Sequence, residues 1–249
     1  MKNVIKKVGI SFVLASVFGV SANAICVVDN YCINFYTGVG GFYENMNGSG
    51  VDVNNYAGFL SFGGSDLYFN RLQIGLDAKI GYGNNGVSGA NLSSISKSSQ
   101  LLQVDVMAKV GINVATKDSP LFINFIFGPD FIISDNGVGR ELYYIGAGID
   151  GKISMSEKLK LTYSAGYGYV YSGNYRLDRV AAALNGYNQI FMASLGTQTK
   201  MTENINFYFK GFGKYYDLSD SKSVEINNQT ISMPTTKIWQ AGVEAGISF

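Results

Sequence analysis

The residues in this sequence that could do chemistry are charged side chains of both signs, which recur at every second position of several segments. Carboxylates could serve an acid-pair hydrolase, but no two of them are singled out by their spacing. Charged groups that line an enclosed space could instead form a polar permeation path, or pair with one another as a salt-bridge network. The residues concerned are Arg71, Asp77, Lys79, Asp105, Lys109, Asp150, Lys152, Lys160, Lys200, Lys210, Lys214 and Glu244.

The composition removes several classes of chemistry. The sequence contains no histidine, so imidazole is not available as a general base, a metal ligand or a member of a catalytic triad. The formal net charge of +1 gives no strong attraction for nucleic acid. No glycine pattern indicates a phosphate site. We therefore expect no enzyme activity, no cofactor, no metal and no nucleic-acid partner.

The two cysteines, Cys26 and Cys32, flank the segment VVDNY. In an oxidising compartment a disulfide between them would tether the N-terminal part of the chain. Two unpaired thiols are the alternative. The spacing does not fit a metal or redox motif, and no other cysteine or histidine is present to complete one.

Residues 1–24 have the pattern of a secretory signal peptide. Three lysines precede an apolar stretch from Val8 to Val20, and small residues lead up to a cleavage site after Ala24. A retained N-terminal anchor is the alternative, but the apolar stretch is shorter than an ordinary spanning helix. We predict that residues 25–249 are exported and form one domain.

Most of the remaining chain alternates between apolar and polar residues. In RLQIGLDAKIGY, for example, Leu72, Ile74 and Leu76 share one face, whereas Gln73 and Asp77 share the other. A period of two indicates β-strands. The sequence predicts an all-β fold, a transmembrane antiparallel up-and-down β-barrel of about ten strands, with eight as the alternative. The predicted strands cover 33–44, 53–63, 67–82, 100–115, 120–132, 141–154, 158–172, 188–201, 204–216 and 236–249.

The predicted connections alternate between short and long. Short turns on one side and longer loops on the other are typical of an outer-membrane barrel, in which the short turns face the periplasm. One long loop has leucine and valine residues at helical spacing, which predicts a short helix over 176–184. The short turns are expected at 63–66, 116–120, 154–157 and 202–204, and the loops at 45–52, 83–99, 133–140, 173–187 and 217–235.

Aromatic residues near the long-loop ends of the strands favour a membrane barrel over a soluble β-sandwich, which would show the same alternation. Such rings suit the interface between lipid and water. About ten strands lie nearer the filled interiors of small barrels than the open channels of large ones, so a plug or a narrow path is expected inside. The aromatic residues are Tyr43, Tyr56, Tyr82, Tyr143, Tyr169, Tyr171, Tyr215 and Trp239.

The signal segment, the strand pattern and the terminal sequence VEAGISF resemble those of the small outer-membrane β-barrel proteins of Gram-negative bacteria, the broad OmpA/OmpX-like group. In that group the barrel-assembly machinery reads a last strand that ends in an aromatic residue. The resemblance therefore implies that Phe249 is an assembly signal. Ten-stranded barrels include the omptin proteases, whose chemistry uses a histidine that this chain lacks.

The expected location is the cell outer membrane, reached by export through the periplasm. The expected partners are outer-membrane lipid and lipopolysaccharide, the barrel-assembly machinery, and an extracellular ligand of unknown identity. The expected function is a structural or surface-interaction role through the extracellular loops. A narrow small-solute channel is the alternative, and an outer-membrane enzyme ranks third.

Overall fold

The structure is a computed structural model, and it describes residues 25–28, 31–89, 92, 95–116, 118–135, 137–178, 180–226 and 229–249. The predicted signal segment, residues 1–24, lies outside the described residues. In the described ranges every named element is a β-strand. No helix in these ranges is long and apolar enough to cross a bilayer.

The strands, numbered in chain order, are long where they build the barrel and short elsewhere. The long strands are 12–19 residues in length. The described elements are β1 (Ile25–Val28), β2 (Tyr31–Gly48), β3 (Val51–Tyr68), β4 (Leu72–Ser88), β5 (Ser98–Asn113), β6 (Leu121–Ser134), β7 (Val138–Ser154), β8 (Leu159–Leu177), β9 (Val180–Ala183), β10 (Gln189–Lys200), β11 (Asn206–Leu218), β12 (Val224–Ile226), β13 (Gln229–Ile231) and β14 (Thr236–Ser248).

Ten of these strands form one closed antiparallel barrel, which confirms the predicted fold and strand number. Each of β2 to β8 pairs with the next strand along the chain, and β8, β10, β11 and β14 continue the order. The barrel closes because β14 pairs with β2, from Thr236 opposite Gly48 to Ser248 opposite Tyr36. Closure leaves no unpaired sheet edge, the condition that a lipid environment imposes on a β-structure.

The two ends of the barrel differ. The turn end carries the connections after β3, β5, β7 and β10 together with the chain terminus, and the loop end carries those after β2, β4, β6, β8 and β11. At the loop end β9 folds back onto β8, and β12 pairs with β13 as a separate hairpin. At the turn end β1 pairs with β2.

The pairing of β1 with β2 makes Cys26 and Cys32 Cα partners. Their side chains lie outside the described residues, so the disulfide stays a prediction.

The short turn predicted at 63–66 is wrong, because these residues continue β3. The turn lies further along, where Phe69 and Asn70 have φ of 54° and 55° and the Arg71 amide donates to the Tyr68 carbonyl at 2.9 Å. Two consecutive residues with positive φ form the hairpin turn that matches strand twist. Gly63 is paired within the sheet, and the Leu76 carbonyl and the Tyr36 ring occupy the space that a Cβ would take there.

Three expectations for the loop end are also corrected. The loops predicted at 45–52 and 133–140 are short turns, because β2, β3, β6 and β7 continue beyond their predicted ends. The helix predicted over 176–184 is wrong. There β8 runs to Leu177 and β9 runs from Val180 to Ala183, so the chain forms a hairpin. The three residues at helical spacing do not share one face in the structure: Leu177 is buried, Leu184 packs against the loop-end core, and Val180 is exposed.

The outer face of the barrel is apolar over most of its height. Val39, Leu195 and Val243 are 59%, 60% and 53% exposed, and their neighbours on adjacent strands are also exposed aliphatic or aromatic residues. The predicted aromatic set lies on this face, with ring centroids 5.0 Å apart for Tyr43 and Tyr56 and 5.1 Å apart for Tyr43 and Trp239. A soluble protein rarely exposes so much contiguous apolar surface.

Candidate functional site

The interior of the barrel is the candidate site, and its loop-end half is filled by an apolar core. Side chains from nine of the barrel strands meet there, together with residues from β9, β12, β13 and the connections. We call this cluster the loop-end core. Its members are Met46, Val51, Val53, Val87, Leu92, Ile95, Ile126, Val138, Leu142, Tyr144, Val170, Tyr175, Leu177, Ala182, Ile190, Tyr216, Leu218, Ile226, Ile231, Met233 and Ile238.

A largely buried ion-pair network contacts this core. Arg140 on β7 donates to Glu44 on β2 at 2.5 and 2.8 Å and to Asp130 on β6 at 3.1 Å. Lys214 on β11 joins Asp130 at 2.6 Å and Asp105 on β5 at 2.8 Å. We call these five residues the Arg140 cluster. Their charges are balanced to within one unit, which is what burial of charge away from water requires.

Uncharged polar groups complete the Arg140 cluster. The amides of Asn55 and Gln240 each donate to Glu44 at 2.9 Å, and the Tyr216 hydroxyl donates to Asp130 at 2.6 Å. The Arg140 guanidinium also lies 4.3 Å from the centre of the Tyr216 ring. The donors to these carboxylate oxygens come from several strands. The hydrogen bonds of the cluster therefore link opposite walls of the barrel.

A second cluster surrounds Glu244 on β14. Lys79 and Lys210 lie 3.4 and 3.1 Å from its carboxylate, and Ser61 and Tyr208 donate to it at 2.9 and 2.8 Å. The Lys79 ammonium also lies 3.5 Å from the centre of the Phe212 ring. A carboxylate with two cations and two hydroxyl donors is held in one position and is not free to act as a base.

A third cluster centres on Lys109 on β5. Its ammonium lies 3.1 Å from Asp150 and 3.6 Å from Asp77. Asn124 donates to Asp150 at 2.9 Å, and Tyr36 donates to Asp77 at 2.8 Å. These carboxylates keep about a fifth of their side-chain surface exposed because they border open space, unlike the fully buried Glu44 and Asp130 of the Arg140 cluster.

That space is a cavity of about 670 Å³ in the turn-end half of the barrel, which we call the turn-end chamber. At one end its lining includes Asn70 and Asp118 from the turns. At the other end it stops at Ile126 and Tyr144, which are members of the loop-end core, and at Met192, which packs against that core. The chamber is therefore blind: it opens at the turn end and is closed by the loop-end core.

The structure brings most of the predicted charged residues together inside the barrel. Asp77, Lys79, Asp105, Lys109, Asp150, Lys152 and Lys210 line the chamber, and the buried Glu244 lies behind Lys79 and Lys210. Arg71 is placed differently: it lies in the exposed turn between β3 and β4. The prediction put Arg71 on a strand because it extended that strand back to residue 67, two residues before the turn begins.

Sequence reasoning missed the most buried charges, Glu44, Asp130 and Arg140. Arg140 fell in a predicted loop because β7 begins three residues earlier than expected. Asp130 was overlooked because both faces of its segment, LFINFIFGPD, carry apolar residues. Asn124 could have indicated it. Asn124 lies an even number of residues from Asp130 on β6, so both side chains fall on the same face, and Asn124 is also buried.

Phe249 continues the β14 ladder to the last residue of the sequence. Its amide donates to the Phe35 carbonyl at 2.8 Å, and the Phe35 amide donates to the Phe249 carbonyl at 3.4 Å. Phe249 is partly buried and borders the mouth of the turn-end chamber. The terminus is thus held in the barrel wall, where its ring is presented at the turn end.

Solved structures with a similar fold are outer-membrane proteins. The outer membrane protease OmpT from Escherichia coli matches with a TM-score of 0.60 at 12% identity, over 93% of this chain and 99% of that chain. Two others match less closely: OprG from Pseudomonas aeruginosa (TM-score 0.41, 9% identity, 88% and 94% of the two chains) and Ail of Yersinia pestis (TM-score 0.35, 9% identity, 87% and 98%).

No protein-family model and no curated protein sequence matches the chain. The chain has the fold of the small outer-membrane β-barrels, as its closed ten-stranded sheet and the similarity to the OmpT structure show. At 12% identity this similarity concerns the fold alone, and the chemistry of the lumen has to be judged from its own residues.

Proposed function

We propose that this protein is an integral outer-membrane barrel that does not conduct solutes and that acts at the cell surface through its loop end. The observation that carries the proposal is the loop-end core, which fills the lumen with buried side chains from wall to wall. Water and ions do not cross a packed apolar layer readily, because each loses its hydrogen bonds there.

The outer face supports the membrane location. Its exposed aliphatic residues are bounded towards the loop end by tyrosine and tryptophan rings such as Tyr56, Tyr82 and Trp239. Rings of this type favour the boundary between the hydrocarbon and the headgroups. In this orientation the turn end faces the periplasm, the loop end faces the outside, and outer-membrane lipid and lipopolysaccharide surround the wall.

The state of the lumen carboxylates supports a role without catalysis. Asp77, Asp105, Asp130, Asp150 and Glu244 each pair with a lysine at 3.6 Å or less. A general base needs a free lone pair near a substrate proton. Carboxylates that are held by ammonium and hydroxyl donors in this way are suited to binding the walls together.

A narrow channel for small solutes is the second candidate. The turn-end chamber favours it, because a solute from the periplasm could enter this cavity without any rearrangement. Transport would then require the loop-end core to open. The two candidates differ in whether the loop-end core opens to let solutes pass.

The location is tested by cysteine labelling of cells in a Cys26→Ser/Cys32→Ser background. Ser223 is exposed at the loop end, and Ser156 is exposed in the turn after β7. With a membrane-impermeant maleimide, the Ser223→Cys protein should be labelled in intact cells, and the Ser156→Cys protein only after the outer membrane is broken. The opposite labelling, or labelling of both in intact cells, would contradict the proposed orientation.

The lack of conduction is tested with the mature chain, folded in detergent and inserted into planar lipid bilayers. Folding is checked first by heat-modifiable migration in SDS gels. Insertion should leave the current at the bilayer baseline. Uniform, stable current steps on every insertion would overturn the proposal and favour the channel.

A further inference from the structure

Two lysines at the mouth of the turn-end chamber have no acidic partner among the described residues. Lys152 on β7 and Lys160 on β8 both line the chamber, and neither takes part in an ion pair within the described ranges. The other lysines of the chamber differ in this respect. Lys79, Lys109, Lys210 and Lys214 each lie within 3.6 Å of a carboxylate.

The pairing of β7 with β8 sets the two lysines side by side. Lys152 is the Cα partner of Thr162, and Lys160 is the partner of Ser154, so the lysines are diagonal neighbours on the inner face. Like charges at such positions repel each other. A bound anion between them would offset that repulsion.

The nearest acid on the same strand is already engaged. One oxygen of Asp150 contacts the Lys109 ammonium at 3.1 Å, and the other accepts from the Asn124 amide at 2.9 Å. Both oxygens of Asp150 are therefore engaged by other residues, and Asp150 forms no ion pair with Lys152. Lys152 and Lys160 thus place two positive charges on the side of β7 and β8, and Asp118 from the neighbouring turn also lies on the chamber lining.

Hydroxyl groups lie next to these lysines. Thr162, Ser164 and Ser194 line the same part of the chamber, and the hydroxyls of Ser164 and Ser194 are 2.7 Å apart. Hydroxyl donors beside ammonium groups provide several hydrogen bonds to one oxyanion. The chamber volume of about 670 Å³ lies within the range of ordinary small-molecule pockets.

We propose that the turn-end chamber binds a small solute that carries a carboxylate or phosphate group, with Lys152 and Lys160 as its charged contacts. The site goes beyond the surface role proposed above and does not depend on it. The loop-end core makes it a dead-end site, so the bound solute enters and leaves at the turn end.

The test measures equilibrium dialysis of the folded mature chain in nonionic detergent against radiolabelled inorganic phosphate and, separately, radiolabelled succinate. Saturable binding of at least one of the two is expected, and the two arms distinguish phosphate from carboxylate recognition. In Lys152→Gln/Lys160→Gln the affinity should fall by about tenfold or more, since charge-assisted hydrogen bonds are lost. The charge-matched control is Lys222→Gln/Lys237→Gln, which removes two exposed lysines at the loop end and should bind as the unmodified chain does.

Absence of saturable binding for both anions would overturn the proposal, as would an equal loss in the control, which would indicate general charge attraction. If the double glutamine variant does not fold, as judged by the absence of heat-modifiable migration, the site is tested on the unmodified protein by NMR. After reductive methylation with carbon-13, phosphate or succinate should shift the NMR signals of Lys152 and Lys160 and leave those of Lys222 and Lys237 in place. Unshifted signals at the chamber would overturn the site whatever the conductance measurement shows.

Discussion

Arg140 lies fully buried between the walls of the barrel, and its neighbours explain how that burial is tolerated. Removal of a guanidinium from water is costly, and attraction to two carboxylates repays the cost only where the geometry is good. Arg140 contacts Glu44 through two nitrogens and Asp130 through one. The cluster is therefore sensitive to loss of one partner and much less sensitive to replacement of a whole pair.

Arg140→Ala should destabilise the folded barrel by about 3–5 kcal/mol, because it leaves Glu44 and part of Asp130 charged and unpaired. The measurement is the free energy of unfolding in urea for the protein folded in detergent. Arg71→Ala is the matched control, since Arg71 is an exposed arginine in a turn, and it should change stability far less. Glu44→Gln in an Arg140→Met background should recover part of the loss. Equal effects at Arg71 and Arg140 would contradict a structural role for the cluster.

At the residue scale, the sequence predicts which side chains face inward but not which of them meet. Alternation fixes the face, so Asp77, Lys79 and Lys109 could be assigned to the lumen. Their partners depend on the closure of the barrel: Arg140 and Glu44 are 96 residues apart in sequence, and Lys214 and Asp105 are 109 apart. Pairing at such separations is set by the register of all intervening strands, which no single segment encodes.

At the element scale, β14 closes the barrel, and the chain ends within its ladder. It pairs with β11 on one side and with β2 on the other. The last hydrogen bonds join Phe249 to Phe35. Because β14 must find both neighbours before the barrel closes, we propose that its last ring is the feature that the assembly machinery recognises.

Deletion of Phe249, or Phe249→Ala, should lower the amount of protein assembled in the outer membrane of cells but leave refolding in detergent close to that of the unmodified chain. Burial of the ring contributes at most about 1.5–3 kcal/mol, which is small for a wall of this size. Phe249→Tyr should keep the assembly of the unmodified chain. Phe69→Ala, which removes an exposed phenyl ring from a turn at the same end, is the control. Normal surface levels for every variant would show that the terminal ring is not an assembly signal, and a large refolding defect for Phe249→Ala would assign it a structural role.

The centres of all ten barrel strands could be predicted from the period of two, whereas several of their ends could not. The alternation predicts β3 but not its continuation through Gly63 and Gly64, because glycine pairs read as a turn. In the structure Tyr36 and Phe35 from β2 cover these glycines. A tertiary contact therefore decides a boundary that local propensity would place elsewhere.

At the scale of the whole molecule, the interior of the barrel is closed at the loop end by the loop-end core and open at the turn end. A ten-stranded barrel is narrow enough for side chains from opposite walls to meet. The sequence predicts this filled interior from the strand number and the mixed charges. It does not predict that the loop-end core and the Arg140 cluster would fill one half and leave the turn-end chamber open in the other, because that division depends on how far each strand extends past the loop-end side of the wall.

The loop-end core is built mainly from the barrel strands, so the hairpin β12–β13 should not be needed to block conduction. Replacement of residues 222–232 by a short Gly-Ser linker should leave the bilayer conductance at baseline, since Leu142, Ile190 and Leu218 are fully buried and come from barrel strands.

The triple variant Leu142→Ser/Ile190→Ser/Leu218→Ser should conduct, because polar side chains let water enter the loop-end core. The triple alanine variant is the matched control: it removes similar volume but leaves an apolar void, which stays dry and should not conduct. Both triple variants are first checked for heat-modifiable migration, because each buried truncation costs about 2–5 kcal/mol. Current steps in the linker variant alone would instead show that the hairpin blocks conduction.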